Sequence, residues 1–444
     1  MGATLDKNKF DARQWYLANF ELFETNLDGS RESAFHEVRK KAISAFADLG
    51  FPTPRNEEWK YTNVAPILER KFKQATEPAK LSKKTLNKLV LKGLEKNLAV
   101  FVNGLYDREL SNYSAKPKGL GVERLKQVLQ GRPALSEKYL GKLAAFEKEA
   151  FTALNTAFTH DGLCVFVPDG VIVEEPIVVM HLSDSRSDAV LAYPRNLIVA
   201  GKGSQVRFVE CYYAVSAGTY FNNVVTEIFV GENAVVDHIK LQEENTESYH
   251  IANTQVHQEQ RSVFTSVNID LGGAIVRNNL NVRLSAENCN SQLYGFFMGN
   301  GVQHIDNHTF IDHAMPHCFS NELYKGILDG KSRGVFNGKI MVRPDAQKTN
   351  ALQSNKTLLL TNDAAIYAKP QLEIFADDVK CTHGATIGQL DDEALFYLRA
   401  RGIREDVAAA MLRYAFAIDV FEKIKIAALR EVLAATIFER LKKS

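Results

Sequence analysis

From Thr159 to Gly388 the chain keeps returning to one local pattern: a short apolar strand, a corner of Gly, Asn or Ser, a small residue, and a second short strand. Ile198 to Val206 (IVAGKGSQV), Ile228 to Val236 (IFVGENAVV) and Ile269 to Val276 (IDLGGAIV) show it most clearly. Val282 to Leu293 and Ile327 to Phe336 follow it loosely. The spacing is irregular, so no strict sequence repeat exists. A degenerate strand–corner–strand unit nevertheless predicts a parallel β-helix, in which stacked coils share one core. A β-sandwich would need no recurring corners, and the stretch exceeds most single sandwich domains. The fold class expected is therefore mainly β, a parallel β-helix flanked by helical regions.

The flanks read differently. Residues 1–158 form a mainly α region. Tyr16, Phe20, Phe23 and Leu27 recur at helical spacing, and Asp28-Gly29-Ser30 breaks the pattern. Phe35, Val38, Ala42, Ala45, Phe46 and Leu49 then resume it until Gly50 and Pro52. Trp59 and Tyr61 are expected to anchor a loop on these helices. Lys71 to Lys96 is lysine-rich, but Leu81, Leu86, Leu89, Val90 and Leu94 interleave, which suits a solvated helix better than a nucleic-acid patch. Leu98 to Leu105 reads as a strand ending at Asn103-Gly104, with helices expected around Val122 to Leu129 and from Leu140 to Phe158. Residues 159–388 are the β-helix core, and 389–444 are helical again. Asp391 or Asp392 caps a helix stopped by Gly402, and a second helix runs from near Arg404 towards Leu441 with one break. Its stripe of Leu412, Phe416, Val420 and Ile424, widened by Met411, Ala415, Ile418 and Phe421, is more apolar than a lone terminal helix needs. It can cap the open end of a β-helix or bind a partner.

Composition excludes several classes. A net charge of +1 gives no global field for nucleic acid or membrane. The N-terminal stretch has no uninterrupted apolar run of the signal-peptide kind, and nothing is long enough to cross a bilayer. Five scattered cysteines without a CxxC argue for a reducing compartment, by default the cytoplasm. No Walker A loop, GxGxxG fingerprint or GxSxG elbow occurs.

Two groups carry candidate chemistry. Between Gly326 and Gly388 no helix of useful length fits; short apolar runs such as Val335-Phe336 and Ile340-Met341-Val342 are cut by Gly, Asn, Asp and Pro into expected short strands. If Ile374 to His383 is extended, Cys381 and His383 point the same way, roughly 6 to 7 Å apart. A thiol beside an imidazole makes a soft metal site or a nucleophile with its base. The second group is His304, His308, His313, His317 and Cys318. Its spacings match no zinc pattern, and corner histidines can equally bond backbone carbonyls.

At these residues the chain resembles a known family. His317-Cys318, Tyr324-Lys325-Gly326, Val335-Phe336-Asn337-Gly338-Lys339, Ala346-Gln347-Lys348-Thr349, Lys369 to Ile374, Asp377 to Cys381 and His383-Gly384-Ala385-Thr386 closely resemble the SufB/SufD family of iron–sulfur cluster assembly proteins. Ala394 to Arg399 and Arg401-Gly402-Ile403 continue the match, and Glu58-Trp59-Lys60-Tyr61-Thr62 is typical of the SufD branch. The extra cysteine-bearing core insert of the SufB branch is not visible. The resemblance implies a right-handed parallel β-helix and a non-enzymatic scaffold, working in a complex with a SufB-like paralogue and a SufC-like ATPase. It implies that Cys381 and His383 are cluster or iron ligands at the junction with the paralogue, holding a transient iron–sulfur cluster or iron shared with it and no stably bound cofactor. It also implies that the C-terminal helices, with Leu395, Phe396, Tyr397, Leu412 and Phe416, contact the ATPase. A homodimer of the isolated chain is a further expectation. Two other readings remain open at this point: a β-helix polysaccharide lyase, and an iron- or zinc-binding homodimer acting alone. The first is disfavoured by the lack of an acidic ligand array.

Overall fold

Alternating side chains commit the centre of the chain to strands, and the corners decide how those strands stack. In the computed structural model, which describes residues 10–27, 30–90, 93–113 and 119–442, the strands form two eleven-stranded sheets. Successive core strands alternate between the sheets, so each pairs in parallel with the strand two positions further on. Val263–Asp270 pairs with Asn290–Gly299, then Phe319–Leu328, Asn350–Leu359 and finally Lys380–Gly388. The facing sheet runs through Ile275–Leu284, His304–His313, Arg333–Val342 and Ala365–Ile374. Parallel strands need a crossover, and here the strand of the other sheet supplies it. The product is a parallel β-solenoid of about 8 turns between N- and C-terminal helices.

In-register stacking puts equivalent side chains above one another at the rung spacing of about 4.8 Å. One lumen column is aliphatic throughout: Val165, Ile198, Ile228, Val256, Val282, Ile311, Ile340 and Leu372. All but Leu372 are buried in one continuous core, and each such side chain contributes roughly 1.5–3 kcal/mol as an upper estimate. The facing wall is mixed, with buried Glu210, His238, Lys240 and Glu322 among its lumen residues.

The strands are longer than the expected short runs. Arg333–Val342 is a single ten-residue strand that passes straight through Gly334 and Gly338. Glycines in this region make room for neighbouring side chains. A Cβ at Gly295 would lie 2.2 Å from the ring of Tyr324, and one at Gly326 2.2 Å from the ring of Phe297.

At the N-terminal side, helices Ala12–Thr25, Phe35–Leu49 and Ala150–Phe158 pack an aromatic core of Tyr16, Phe20, Phe46 and Phe158. Asp28 and Gly29, the expected break, lie outside the described residues. Gly50 ends its helix with a φ of 64°. This region also supplies strands. Asn97–Val102 pairs in parallel with Ile177–Ser183, and Gly121–Arg124 pairs antiparallel with Leu163–Val167. The helix expected around Val122 is therefore a strand followed by the helix Leu125–Gly131. The helix expected from Leu140 begins only at Ala150, because the amides of Gly141, Leu143 and Ala144 donate to the buried carboxylate of Glu227 at 2.8, 2.9 and 3.1 Å. In the lysine-rich segment a short helix, Lys83–Leu89, buries Leu86 and exposes its lysines.

Asp391 caps Asp392–Ala400, and two further helices follow, Glu405–Phe421 and Ala427–Leu441. They do not cover the open end of the solenoid. Ala417, Val420, Phe421, Leu433 and Ile437 pack against Leu241, Ile269, Phe296 and Ile327 on the outward side of a sheet. Lys325 bonds Phe416 O at 2.7 Å, and Lys425 pairs with Asp237 at 2.6 Å. The apolar stripe has a sheet face of its own to bury, so the end stays open. No helix among the described residues is long and apolar enough to cross a membrane.

Candidate functional site

The last rung is where the solenoid stops without a lid. Lys380–Gly388 pairs on one side only, with Asn350–Leu359, and most of its residues are exposed. Extension begins at Lys380, not at Ile374: Ala365–Ile374 ends a strand of the other sheet, and a corner intervenes. That corner is held by Lys348 N donating to Asp378 O at 2.7 Å, by Asp378 N donating to Gln347 Oε1 at 2.9 Å, and by a Lys348–Asp378 ion pair. Lys348 adopts a φ of 62°, which aims its amide across the rung.

Cys381 and His383 lie two residues apart on this strand, over Ala351 and Gln353 of the rung beneath, and so share its lumen side. Cys381 is half-buried against the solenoid core, and burial pushes its thiol pKa up, partly offset by a hydrogen bond to the Ala351 backbone. His383 is exposed. Among the described residues, no three His, Cys, Asp or Glu side chains are grouped to hold a metal. The strand thus offers two donors, one soft and one borderline, with their outer side open.

Beneath His383 lies a polar support that spacing did not reveal. Gln353 is directly below it and donates to Glu322 Oε2 at 2.8 Å, one rung deeper. Glu322 is fully buried, and desolvation raises its carboxyl pKa to about 7. The only sequence signal was an acid at an alternating position of an otherwise unremarkable strand. Around the edge, Ile374, Phe375 and Ile387 leave 40%, 61% and 52% of their surface exposed, an apolar rim on the open end.

The histidine group resolves into structural parts. His304, Asp306 and His308 share the outward face of their strand. There His304 bonds Thr62 Oγ1 at 2.8 Å, and Asp306 bonds Thr62, Arg277 at 2.7 Å and His308 at 3.0 Å. These contacts, with the positive charges nearby, hold the Asp306 carboxyl far below its usual range despite burial. Arg277 also lies 3.9 Å over the ring of Trp59 and donates to Glu58 O at 2.7 Å. Trp59 packs on Phe151, and Tyr61 stacks on Tyr367 at 4.7 Å, so the segment anchors to the solenoid as well as to the helices. His313 and Cys318 are buried, whereas His317 is exposed; they do not join the cluster.

The C-terminal helices divide similarly. Asp392–Ala400 has no buried residue; Phe396 is 72% and Tyr397 56% exposed, and Leu395 is half-buried. Leu412 and Phe416 are half-buried, with the Lys325 ammonium 5.0 Å over the Phe416 ring.

Comparison with known proteins agrees with this architecture. The family model described as SUF system FeS cluster assembly, SufBD core domain, matches residues 181–416, and that of the SufBD protein N-terminal region matches residues 10–179. The chain is similar to an iron–sulfur cluster assembly SufBD family protein of Synechocystis sp., at 33% identity over 89% of each chain. It is 32% identical over 92% of each chain to the iron–sulfur cluster assembly protein SufD of Escherichia coli. A chloroplastic protein of Arabidopsis thaliana is 29% identical over 91% of this chain and 86% of its own.

Proposed function

The chain belongs to the SufBD family of iron–sulfur cluster assembly proteins and is SufD-like, and from that premise we propose that it is a non-catalytic scaffold subunit whose open terminal rung completes a cluster site with a second chain. The observation that carries this reading is the unpaired strand Lys380–Gly388, which bears Cys381 and His383 and no third donor from the described residues. An iron–sulfur cluster requires more ligands than two. The remaining ligands come from a SufB-like paralogue whose own terminal strand adds to the exposed edge, by the main-chain pairing that exposed edges favour.

A small SufC-like ATPase binds the exposed side of the C-terminal helices. Phe396 and Tyr397 supply the most exposed apolar contact, and the half-buried Leu395, Leu412 and Phe416 add to it. Movement of these helices against their sheet transmits ATP hydrolysis to the rung. Cluster or iron is cargo, held transiently: one thiol with a raised pKa and one exposed imidazole bind weakly enough to release it.

The test is anaerobic affinity purification of the tagged chain from its own cells, followed by cluster reconstitution. Recovery of a paralogue and an ATPase is expected. His383→Ala should leave the complex intact and lower cluster yield several-fold. Normal yield from that variant removes His383 from the site, and recovery of the chain without either partner removes the scaffold reading.

A further inference from the structure

Two adjacent turns of the solenoid carry an unassigned pair of thiols. Cys289 and Cys318 immediately precede Asn290 and Phe319, which are register partners in adjacent parallel strands. The two cysteines therefore stack on successive rungs at one corner. Both are 1% exposed. Both thiols donate to the same oxygen, Ala286 O, at 3.1 Å from Cys289 and 3.3 Å from Cys318. Cys289 also reaches Glu259 O at 3.2 Å, and Cys318 reaches Pro316 O at 3.5 Å. Ser262, one rung below, donates to Cys289 Sγ at 4.0 Å. Two soft donors and several backbone carbonyls thus converge on one point.

We propose that Cys289 and Cys318 form a two-sulfur site for a soft monovalent cation of the copper(I) class. The geometry selects among the things two thiols can do. Side chains at equivalent positions of parallel rungs leave the backbone in the same direction, with Cβ atoms near the rung spacing of about 4.8 Å. A disulfide needs Cβ atoms roughly 3.5–4.5 Å apart, so a direct bond would require the rungs to pinch. Two sulfur–metal bonds of about 2.3 Å placed in line span close to one rung. Zinc takes four ligands, and no third His, Cys, Asp or Glu is grouped here among the described residues. Soft thiolate donors in low number favour copper(I).

The proton balance is also met. Cys289 releases its proton to solvent and binds as thiolate. Cys318 binds through a sulfur lone pair and keeps its S–H on a carbonyl. The bound unit is neutral, which suits a site out of water. Entry is through the corner loop, where Glu287 and Asn288 are exposed. Nothing in this site depends on the scaffold reading, since Cys381 and His383 take no part in it.

The experiment uses the full reduced chain carrying Cys381→Ser, which removes the half-exposed thiol, titrated anaerobically with copper(I) against a chromophoric copper(I) chelator. One equivalent should be withheld from the chelator. Adding Cys289→Ser or Cys318→Ser should each weaken retention at least tenfold. In the unmutated chain, copper(I) should slow alkylation of Cys289 and Cys318 while leaving Cys164 and Cys211 unchanged, a readout that does not require any variant to fold. Retention indifferent to both substitutions, or no protection of this pair, overturns the site. So does ready formation of a Cys289–Cys318 disulfide under mild oxidant without metal, because the spacing argument would then be wrong.

Discussion

The two ends of the solenoid are built on opposite principles. At the N-terminal end the sheets are extended by strands from outside the solenoid core, Gly121–Arg124 on one and Asn97–Val102 on the other, and helices pack against the first turns. The seam contains an ion pair, Arg195–Glu227 at 2.6 Å, with both side chains fully buried. Glu227 also accepts three backbone amides of the overlying loop. At the C-terminal end, Lys380–Gly388 presents an unpaired edge and an apolar rim. An exposed flat edge is a liability in a protein that works alone. The contrast separates a foundation, where polar groups are spent on internal cohesion, from a final rung whose edge and apolar rim are left exposed.

The largest test of this contrast strikes the foundation. Arg195→Met strands the Glu227 carboxylate inside the seam and should cost about 3–5 kcal/mol, read as a lower urea midpoint. A loss below 1 kcal/mol would mean that the seam is not what holds the covered end.

Acid should reach both halves. Burial lowers the pKa of His181, stacked on Phe101 near the covered end, to about 4, and does the same to His313 in the open half. In each case the unfolded chain binds the proton first, with an ordinary pKa near 6.5. Stability is therefore full above that value and falls as pH drops towards 4, by up to about 3 kcal/mol per histidine. Denaturation midpoints across this range check the slope, and His181→Phe should flatten it.

Glu322 carries the opposite sign. Its folded pKa of about 7 lies above the ordinary 4.5, so the native state holds the proton longer and loses stability as pH rises from 4.5 through 7. Glu322→Gln should be near neutral at pH 5 and stabilising by up to about 3 kcal/mol at pH 8. If the stabilisation is absent, Glu322 is ionised in place, and the support beneath His383 is a charged one.

The contrast was only half legible in the sequence. Recurring corners such as Gly231-Glu232-Asn233 announced stacked coils, because a corner is a local event. The i, i+2 relation of Cys381 and His383 was legible for the same reason. Arg195, Glu227, Glu322 and Gln353 were not: a charged residue in an alternating strand looks alike whether it faces solvent or lumen, and the partners sit about a turn away in the chain. Gly338 read as a break between Val335-Phe336 and Ile340-Met341-Val342, although one strand runs through it, and nothing in the sequence showed that the missing side chains of Gly295 and Gly326 house Tyr324 and Phe297. The openness of the final rung was equally hidden. The stripe from Leu412 to Ile424 suits an end cap and a flank alike, and only the presence of Phe296 and Ile327 on an outward face decides for the flank.

The smallest expected change in stability gives the sharpest test of what the open end is for. Ile387 is 52% exposed on the terminal strand and supports little of the core. Ile387→Glu should therefore shift folding by less than about 0.5 kcal/mol, as surface substitutions do. If the edge is a docking strand, the same charge would be carried into a desolvated junction, and pairing with the paralogue should weaken at least tenfold. Melting curves and quantitative co-purification measure the two effects separately. A variant that melts normally and still captures the paralogue would place the junction elsewhere, leaving the apolar rim of Ile374, Phe375 and Ile387 without a role in pairing. A variant that melts normally and loses the paralogue while retaining the ATPase would divide the open rung from the C-terminal helices as independent docking surfaces.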